Sequence, residues 1–93
     1  MQFMIHCLDK PGLAEVRLAN RAAHLAYLDK HGASLIAAGP LLGDDGQAMI
    51  GSLLLMEFAD RAAAERFCAD DPYGKAGLFQ SVTMTPWRKV LPK

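Results

Sequence analysis

The stretch that decides the fold is Ile50–Phe58, which reads IGSLLLMEF. It has the length of a strand, and its centre, Leu53–Met56, is apolar at consecutive positions. Successive side chains of a strand point to opposite faces of the sheet. An uninterrupted apolar run therefore predicts a strand that is buried on both faces.

Two strands and one helix are predicted before this stretch. Gln2–Leu8 is short, apolar and followed by turn residues, which is typical of a strand. Leu13–Lys30 is rich in Ala, Leu, Arg and Glu and predicts a helix, which Gly32 ends as a left-handed C-cap. Ala33–Leu42 predicts the second strand, with a bend or bulge at Gly39–Pro40 because proline donates no hydrogen bond to a sheet.

One helix and one strand are predicted after it. Asp60 is a suitable N-cap for a helix over residues 61–70. Asp71-Pro72 ends that helix, because the residue before a proline avoids the helical region. Residues 73–78 are predicted as an irregular connector to the fourth strand at residues 79–87.

The order strand, helix, strand, strand, helix, strand is that of a ferredoxin-like βαββαβ subunit, so we expect an α+β fold in one domain over residues 1–93. Two helices cover one face of a four-stranded sheet, whereas the third strand requires cover on both faces. At 52% hydrophobic residues the chain is also rich in apolar surface. We therefore expect a homodimer with sheets packed face to face. The alternative is a monomer whose second face stays exposed.

Charge and cysteine content exclude several classes of function. Ten Lys and Arg residues balance ten Asp and Glu residues, so the basic stripe typical of nucleic-acid binding is missing. No apolar stretch approaches the ~20 residues that span a bilayer, and the first residues lack the basic leader of a signal peptide. Cys7 and Cys68 form no CxxC pair. We expect free thiols and a cytoplasmic protein with no membrane or nucleic-acid partner.

Five short motifs resemble elements of the YCII-related family, and the match extends from about residue 1 to residue 91. Each motif is weak alone, but their order and spacing together are specific. They are R-x-x-H-L at Arg21–Leu25, A-G-P at Ala38–Pro40, G-S at Gly51–Ser52, D-P-Y-x-x-A-G at Asp71–Gly77 and P-[aromatic]-x-x-V at Pro86–Val90.

The resemblance implies a dimeric α+β barrel with a pocket between helices and sheet. It also implies an active-site pair of a histidine and an aspartate, which in this chain are His24 and Asp71. Dehydrochlorination of a chlorinated hydroxyhydroquinone is one activity of the family. This chain departs from the family pattern in a shortened loop, Leu42–Met49, and that difference bears on substrate preference.

His24 and Asp71 suit acid–base chemistry. An imidazole both takes and gives a proton near neutral pH, and a carboxylate on its other N–H fixes its tautomer and orientation. Arg21 precedes His24 by three residues on the same helix face, where it would disfavour the imidazolium or bind an anionic substrate group. The competing interpretations are an exposed histidine without a role and an aspartate that only makes an Asx-turn.

Ser52 and Tyr73 are the remaining predicted substrate-binding residues. Ser52 lacks the G-x-S-x-G elbow of a nucleophile, so we expect it to bind a polar group or to be satisfied by backbone alone. Tyr73 either lines the pocket or simply packs. A metal site of His6, His24 and Asp71 has no support from their spacing, and we expect neither a metal nor a cofactor.

The leading hypothesis is a small cofactor-independent enzyme of the lyase or isomerase type. Its substrate would be a small aromatic or enol-bearing molecule. A non-catalytic module that binds a small molecule and a purely structural dimer stay open as alternatives. The sequence names neither a substrate nor a reaction.

Overall fold

The computed structural model describes residues 1–93. It contains one antiparallel sheet with helices on one of its faces. Its strands are β1 (Gln2–Asp9), β2 (Leu35–Leu42), β3 (Met49–Glu57) and β4 (Phe79–Trp87). Its helices are α1 (Ala14–Lys30), α2 (Arg61–Asp70) and the single turn α3 (Pro72–Lys75), with a 3₁₀ turn at Gly32–Ser34. The strand order is β2-β3-β1-β4, which confirms the α+β class and the ferredoxin-like arrangement.

The core lies between the helices and one face of β1 and β3. Phe3 pairs with Met56 and Ile5 pairs with Leu54 across these strands, and all four side chains are almost fully buried. Burial of a side chain of this size stabilises the fold by about 1.5–3 kcal/mol. A slip of one residue would turn this set outward, so the alternation fixes the register.

The other face of the sheet is uncovered in the single chain. Its centre consists of Met4 and His6 on β1 with Leu53 and Leu55 on β3, and these four residues, half-buried, are called the open face below. The prediction that β3 is buried on both faces is therefore wrong for the single chain, because only alternate residues such as Leu54 are buried. The homodimer that would cover the open face stays a prediction.

The end of α1 and the course of β2 differ from the sequence prediction. Gly32 has no positive φ, because the chain passes from His31 directly into the 3₁₀ turn. The residues predicted as a bulge, Gly39–Pro40, pair regularly with β3, and the register shifts lie on either side of them. Pro40 is accommodated because β2 is an edge strand, where a missing N–H breaks no ladder.

The boundaries of α2 agree with the prediction. The Asp60 carboxylate accepts a hydrogen bond from the Ala63 N–H at 2.9 Å, and the helix ends just before Asp71, which is extended as expected before a proline. The predicted irregular connector instead contains α3. Pro72 begins this turn at its first position, where its missing N–H is not needed.

None of the helices combines the length and the apolar character that crossing a bilayer requires.

Candidate active site

One face of α1 supplies the first half of the site. Arg17, His24 and Leu28 are the buried residues of this helix, and their spacing places them on one side of it. Arg21, which the sequence analysis places on the same helix face as His24, is not among them. Arg21 is exposed and lies at the edge of the cavity described below, where it pairs with no carboxylate.

His24 and Asp71 form a buried pair, called the dyad below. Nδ1 of His24 lies 2.9 Å from Oδ1 of Asp71, and the two side chains are 7% and 4% exposed. The same Oδ1 accepts the backbone N–H of Tyr73 at 3.0 Å. Because an ionised carboxylate only accepts hydrogen bonds, Nδ1 carries a proton, and in the neutral imidazole Nε2 then keeps its lone pair. The pairing predicted for these two residues is thus confirmed, and Asp71 makes its turn as well.

Arg17 is a buried cation that the sequence analysis did not select. Its Nε and Nη2 donate to the two carboxylate oxygens of Asp9 at 2.7 and 2.9 Å, a forked geometry that suits a guanidinium. Burial disfavours the charge of Arg17, but the hydrogen bonds and the charge of Asp9 outweigh burial and raise its pKa. The available signal was the position of Arg17 on the same helical stripe as His24, seven residues earlier.

Ser52 on β3 is hydrogen-bonded to Arg17. Its Oγ accepts a hydrogen bond from Nη2 of Arg17 at 3.0 Å, and the residue is 3% exposed. The prediction of a serine satisfied by backbone alone is wrong. The preceding residue must be Gly51, since a Cβ there would collide with the carbonyl oxygen of Cys7 on β1. This close approach of two backbones explains the G-S element on β3.

Tyr73 contacts both His24 and Arg17. Its ring stacks on the His24 ring with centroids 4.0 Å apart and planes inclined by 17°. The guanidinium carbon of Arg17 lies 4.5 Å from the same centroid, within the range of a cation–π contact. The residue is 1% exposed, and burial raises the pKa of its hydroxyl, which therefore stays protonated at neutral pH.

These side chains line a cavity of about 450 Å³ between α1 and the sheet. Its polar wall consists of Arg17, His24, Ser52 and Tyr73, with Arg21 and Asp29 at the exposed side. Its apolar wall includes Leu25, Leu28, Leu35, Pro40, Met49 and Leu54. Met49, the first residue of β3, is the one residue of the predicted Leu42–Met49 loop that lines the cavity. The cavity thus combines two cations with a hydrophobic surface.

The residues named for other chemistry lie apart from the dyad or are inert. His6 belongs to the open face, on the side of β1 opposite the core, and no three His, Cys, Asp or Glu side chains are grouped as metal ligands. Cys7 and Cys68 are free thiols. Burial raises their pKa to about 12 and about 11, so neither is a thiolate nucleophile at neutral pH.

Comparison with known proteins gives a family assignment. The model of the YCII-related domain matches residues 1–88. The chain belongs to the YCII-related family. It is 36% identical to Protein YciI of Escherichia coli O6:H1, with 97% of this chain and 99% of the relative covered. It is 35% identical to an uncharacterized protein of Haemophilus influenzae, with the same coverage.

Solved structures extend the comparison. The 5-chloro-2-hydroxyhydroquinone dehydrochlorinase of Burkholderia phenoliruptrix AC1100, solved with 2,5-dihydroxybenzoquinone, is 39% identical to this YCII-related chain with a TM-score of 0.87. The alignment covers 95% of this chain and 94% of that chain. An antibiotic biosynthesis monooxygenase, 13% identical with a TM-score of 0.50 over 95% of this chain and 98% of that one, shares the fold alone.

Proposed function

We propose that this protein is a small enzyme that catalyses a cofactor-independent elimination or isomerisation by proton transfer. The observation that carries the proposal is a buried dyad whose histidine lines a cavity that is also lined by a buried cation. Perturbed or paired titratable groups that converge on a cavity are characteristic of active sites.

His24 is the proposed base and acid. With Nδ1 bonded to Asp71, the free Nε2 accepts a proton from the substrate and later returns it. Asp71 stabilises the imidazolium that forms and holds the ring in one orientation, as a carboxylate does in a catalytic triad. Proton transfer by a positioned group of this kind contributes about 10²–10⁴-fold to a rate.

Arg17 and Ser52 are the proposed partners of the negative charge that proton removal leaves on the substrate. Nη1 of Arg17 takes part in neither the fork to Asp9 nor the bond to Ser52. Ser52 Oγ accepts from Arg17, so its own hydroxyl hydrogen is left to donate. Donors fixed in advance in a dry cavity stabilise a developing oxyanion, and one such donor is worth about 10²–10³-fold in rate.

The proposed reaction balances without a redox partner. His24 removes a proton from an O–H or C–H bond, and the released electron pair either expels a leaving group with its bonding electrons or shifts within the substrate. In the second case the His24 imidazolium returns the proton to another atom. No electrons enter or leave the substrate as a whole, so a base, an acid and charge stabilisation are sufficient.

A small planar substrate that becomes anionic fits the cavity. Cationic Arg17 and Arg21 suit an ionised oxygen, and Leu28 and Leu54 in the same cavity suit the apolar edge of a ring. The dehydrochlorinase relative, solved with a dihydroxybenzoquinone, supports a ring of this size and polarity. The substrate class proposed here is therefore a phenol, hydroxyquinol or enol.

We also propose that the protein is a homodimer in the cytoplasm. An apolar open face that is uncovered in the single chain supports face-to-face packing of two sheets, the arrangement that an isologous dimer allows. The two free cysteines support a reducing compartment.

The test is turnover of a chlorinated hydroxyhydroquinone, followed as chloride release, and of a panel of phenols and enols, followed by absorbance. We expect turnover by the native protein and a loss of about 10²–10⁴-fold in the His24→Asn variant. His31→Asn is the matched control, since His31 lies at the end of the same helix outside the cavity. A folded His24→Asn protein with full turnover would exclude the mechanism. A ligand that the native protein binds and returns unchanged would favour a binding module.

A further inference from the structure

We infer that Tyr73 is a positioning residue that holds the dyad together, rather than a residue that binds the ligand. This inference rests on the proposed function, because it concerns how the proposed base is kept ready. It is carried by the position of the Tyr73 ring between Arg17 and His24.

Both faces of the Tyr73 ring are occupied by residues of α1. Arg17 and His24 are seven residues apart, which separates their backbones by about 10 Å along the helix axis. The His24 ring lies 4.0 Å and the Arg17 guanidinium carbon 4.5 Å from the Tyr73 centroid. Atoms in contact stay about 3.5–4.0 Å apart, so two such flat groups cannot share one face of one ring. The Tyr73 ring is therefore inserted between them.

The edge of the ring is also covered. Phe79 meets it in a T-shaped contact with centroids 6.0 Å apart and an interplanar angle of 82°. With 1% of the residue exposed, no face of the Tyr73 ring is left for a substrate to stack on. Its proximity to the cavity is better explained by its contact with His24.

Tyr73 contacts both members of the dyad through different groups. Its backbone N–H donates to Oδ1 of Asp71 at 3.0 Å, and its ring supports the imidazole that donates to the same oxygen at 2.9 Å. One residue thus fixes the carboxylate and the ring relative to each other. Misplacement of a reacting group by about 1 Å can cost 10²-fold in rate, so this support has a direct consequence for catalysis.

The ring also separates two cations when His24 takes a proton. An aromatic face attracts a cation, so the Tyr73 ring stabilises the imidazolium on one side and the Arg17 guanidinium on the other. Without the ring, two like charges would face each other across a gap open to water. Loss of the ring should therefore lower turnover more than it lowers ligand binding.

The test compares Tyr73→Phe, which keeps the ring, with Tyr73→Leu, which removes it. The first measurement is NMR of ¹⁵N-histidine-labelled protein, in which the Nδ1 proton of His24 is expected to be protected from exchange. We expect this signal in the native protein and in Tyr73→Phe, and its loss in Tyr73→Leu while the amide spectrum stays dispersed. Phe79→Leu is the control, since Phe79 touches Tyr73 without appearing among the cavity residues.

The second measurement is steady-state kinetics on a substrate found in the turnover screen. Tyr73→Leu should lower kcat by about 10²-fold, with KM changed less than about threefold, and Tyr73→Phe, which keeps the ring, should lower kcat far less than Tyr73→Leu does. If the leucine variant does not fold, Tyr73→Met fills the space with a flexible side chain and takes its place. A protected Nδ1 proton in a folded ringless variant overturns the inference. The NMR comparison needs no substrate, so it tests the role of Tyr73 even if the proposed function fails.

Discussion

Oδ1 of Asp71 accepts two hydrogen bonds, from Nδ1 of His24 at 2.9 Å and from the backbone N–H of Tyr73 at 3.0 Å. The carboxylate oxygen that orients the proposed base thus also caps the N-terminus of α3. Local chain geometry and proposed chemistry therefore depend on the same carboxylate, and substitutions of Asp71 should affect both.

Asp71→Asn keeps an acceptor oxygen but removes the charge that stabilises the His24 imidazolium. We expect turnover to fall by about 10²–10⁴-fold. Asp71→Ala also loses the cap, which costs about 1 kcal/mol of stability. Asp70→Asn is the matched control, because that neighbouring carboxylate is 68% exposed and lies outside the cavity. Chloride release and urea denaturation measure the two effects, and equal behaviour of the 70 and 71 variants would contradict the assignment.

Arg17 and Asp9 form a nearly dry ion pair with side chains 6% and 9% exposed. Arg17→Met leaves the Asp9 carboxylate buried without its partner, so we expect a loss of about 3–5 kcal/mol in the free energy of unfolding. The double variant Asp9→Asn with Arg17→Met should recover part of that loss, because no uncompensated charge remains. Chemical denaturation measures both. Arg66→Met, at an exposed arginine that forms no ion pair, is the control and should change stability by less than about 0.5 kcal/mol.

Stability should fall at alkaline pH because Cys7 is buried as a neutral thiol. Burial raises its pKa from 9.0 to about 12, so the folded state holds the proton more tightly than the unfolded state does. The stabilisation is fully present below pH 9 and is lost as the pH rises toward 12. The slope is up to about 1.4 kcal/mol per pH unit for this group. Urea denaturation from pH 8 to pH 11 should show a shallower slope for Cys7→Ala than for the native chain, and identical slopes would contradict the prediction.

The open face should be the interface of the proposed homodimer. Leu55→Lys introduces a charge there, and we expect it to convert the dimer into monomers, because an unpaired charge is costly in an apolar interface. Leu18→Lys is the control, since Leu18 is 73% exposed on α1. Analytical ultracentrifugation of the native chain and both variants measures the outcome. A native chain that sediments as a monomer at micromolar concentration would rule out the dimer.

Strand and helix positions were predictable where the pattern was local. The short apolar run of β1, followed by turn residues, and the helix formers of α1 placed these elements to within a residue or two. The capping role of Asp60 was also local, because it depends on the residues that follow it directly. The left-handed cap at Gly32 and the bulge at Gly39–Pro40 were wrong, since a 3₁₀ turn and an edge position removed the need for them.

The site was predictable only in part. Motif resemblance named His24 and Asp71, which are 47 residues apart, and the structure brings them into contact. Arg17 was not selected, because its importance comes from Asp9 on β1 and Ser52 on β3, and no local pattern links those positions. The contacts of the Tyr73 ring with Arg17 and His24 were equally unpredictable, since they require α3 to pack against α1.

The sequence by itself determined the order of elements, the capping of α2 by Asp60 and the residue types available for acid–base chemistry. These follow from periodicity, capping and side-chain chemistry, all of which act between near neighbours in the chain. Only the tertiary structure decided that an arginine is buried beside the base, that an aromatic ring separates the two, and that one face of the sheet is left uncovered. Those outcomes depend on distances between segments remote in sequence, which packing of the whole chain sets and no local pattern records.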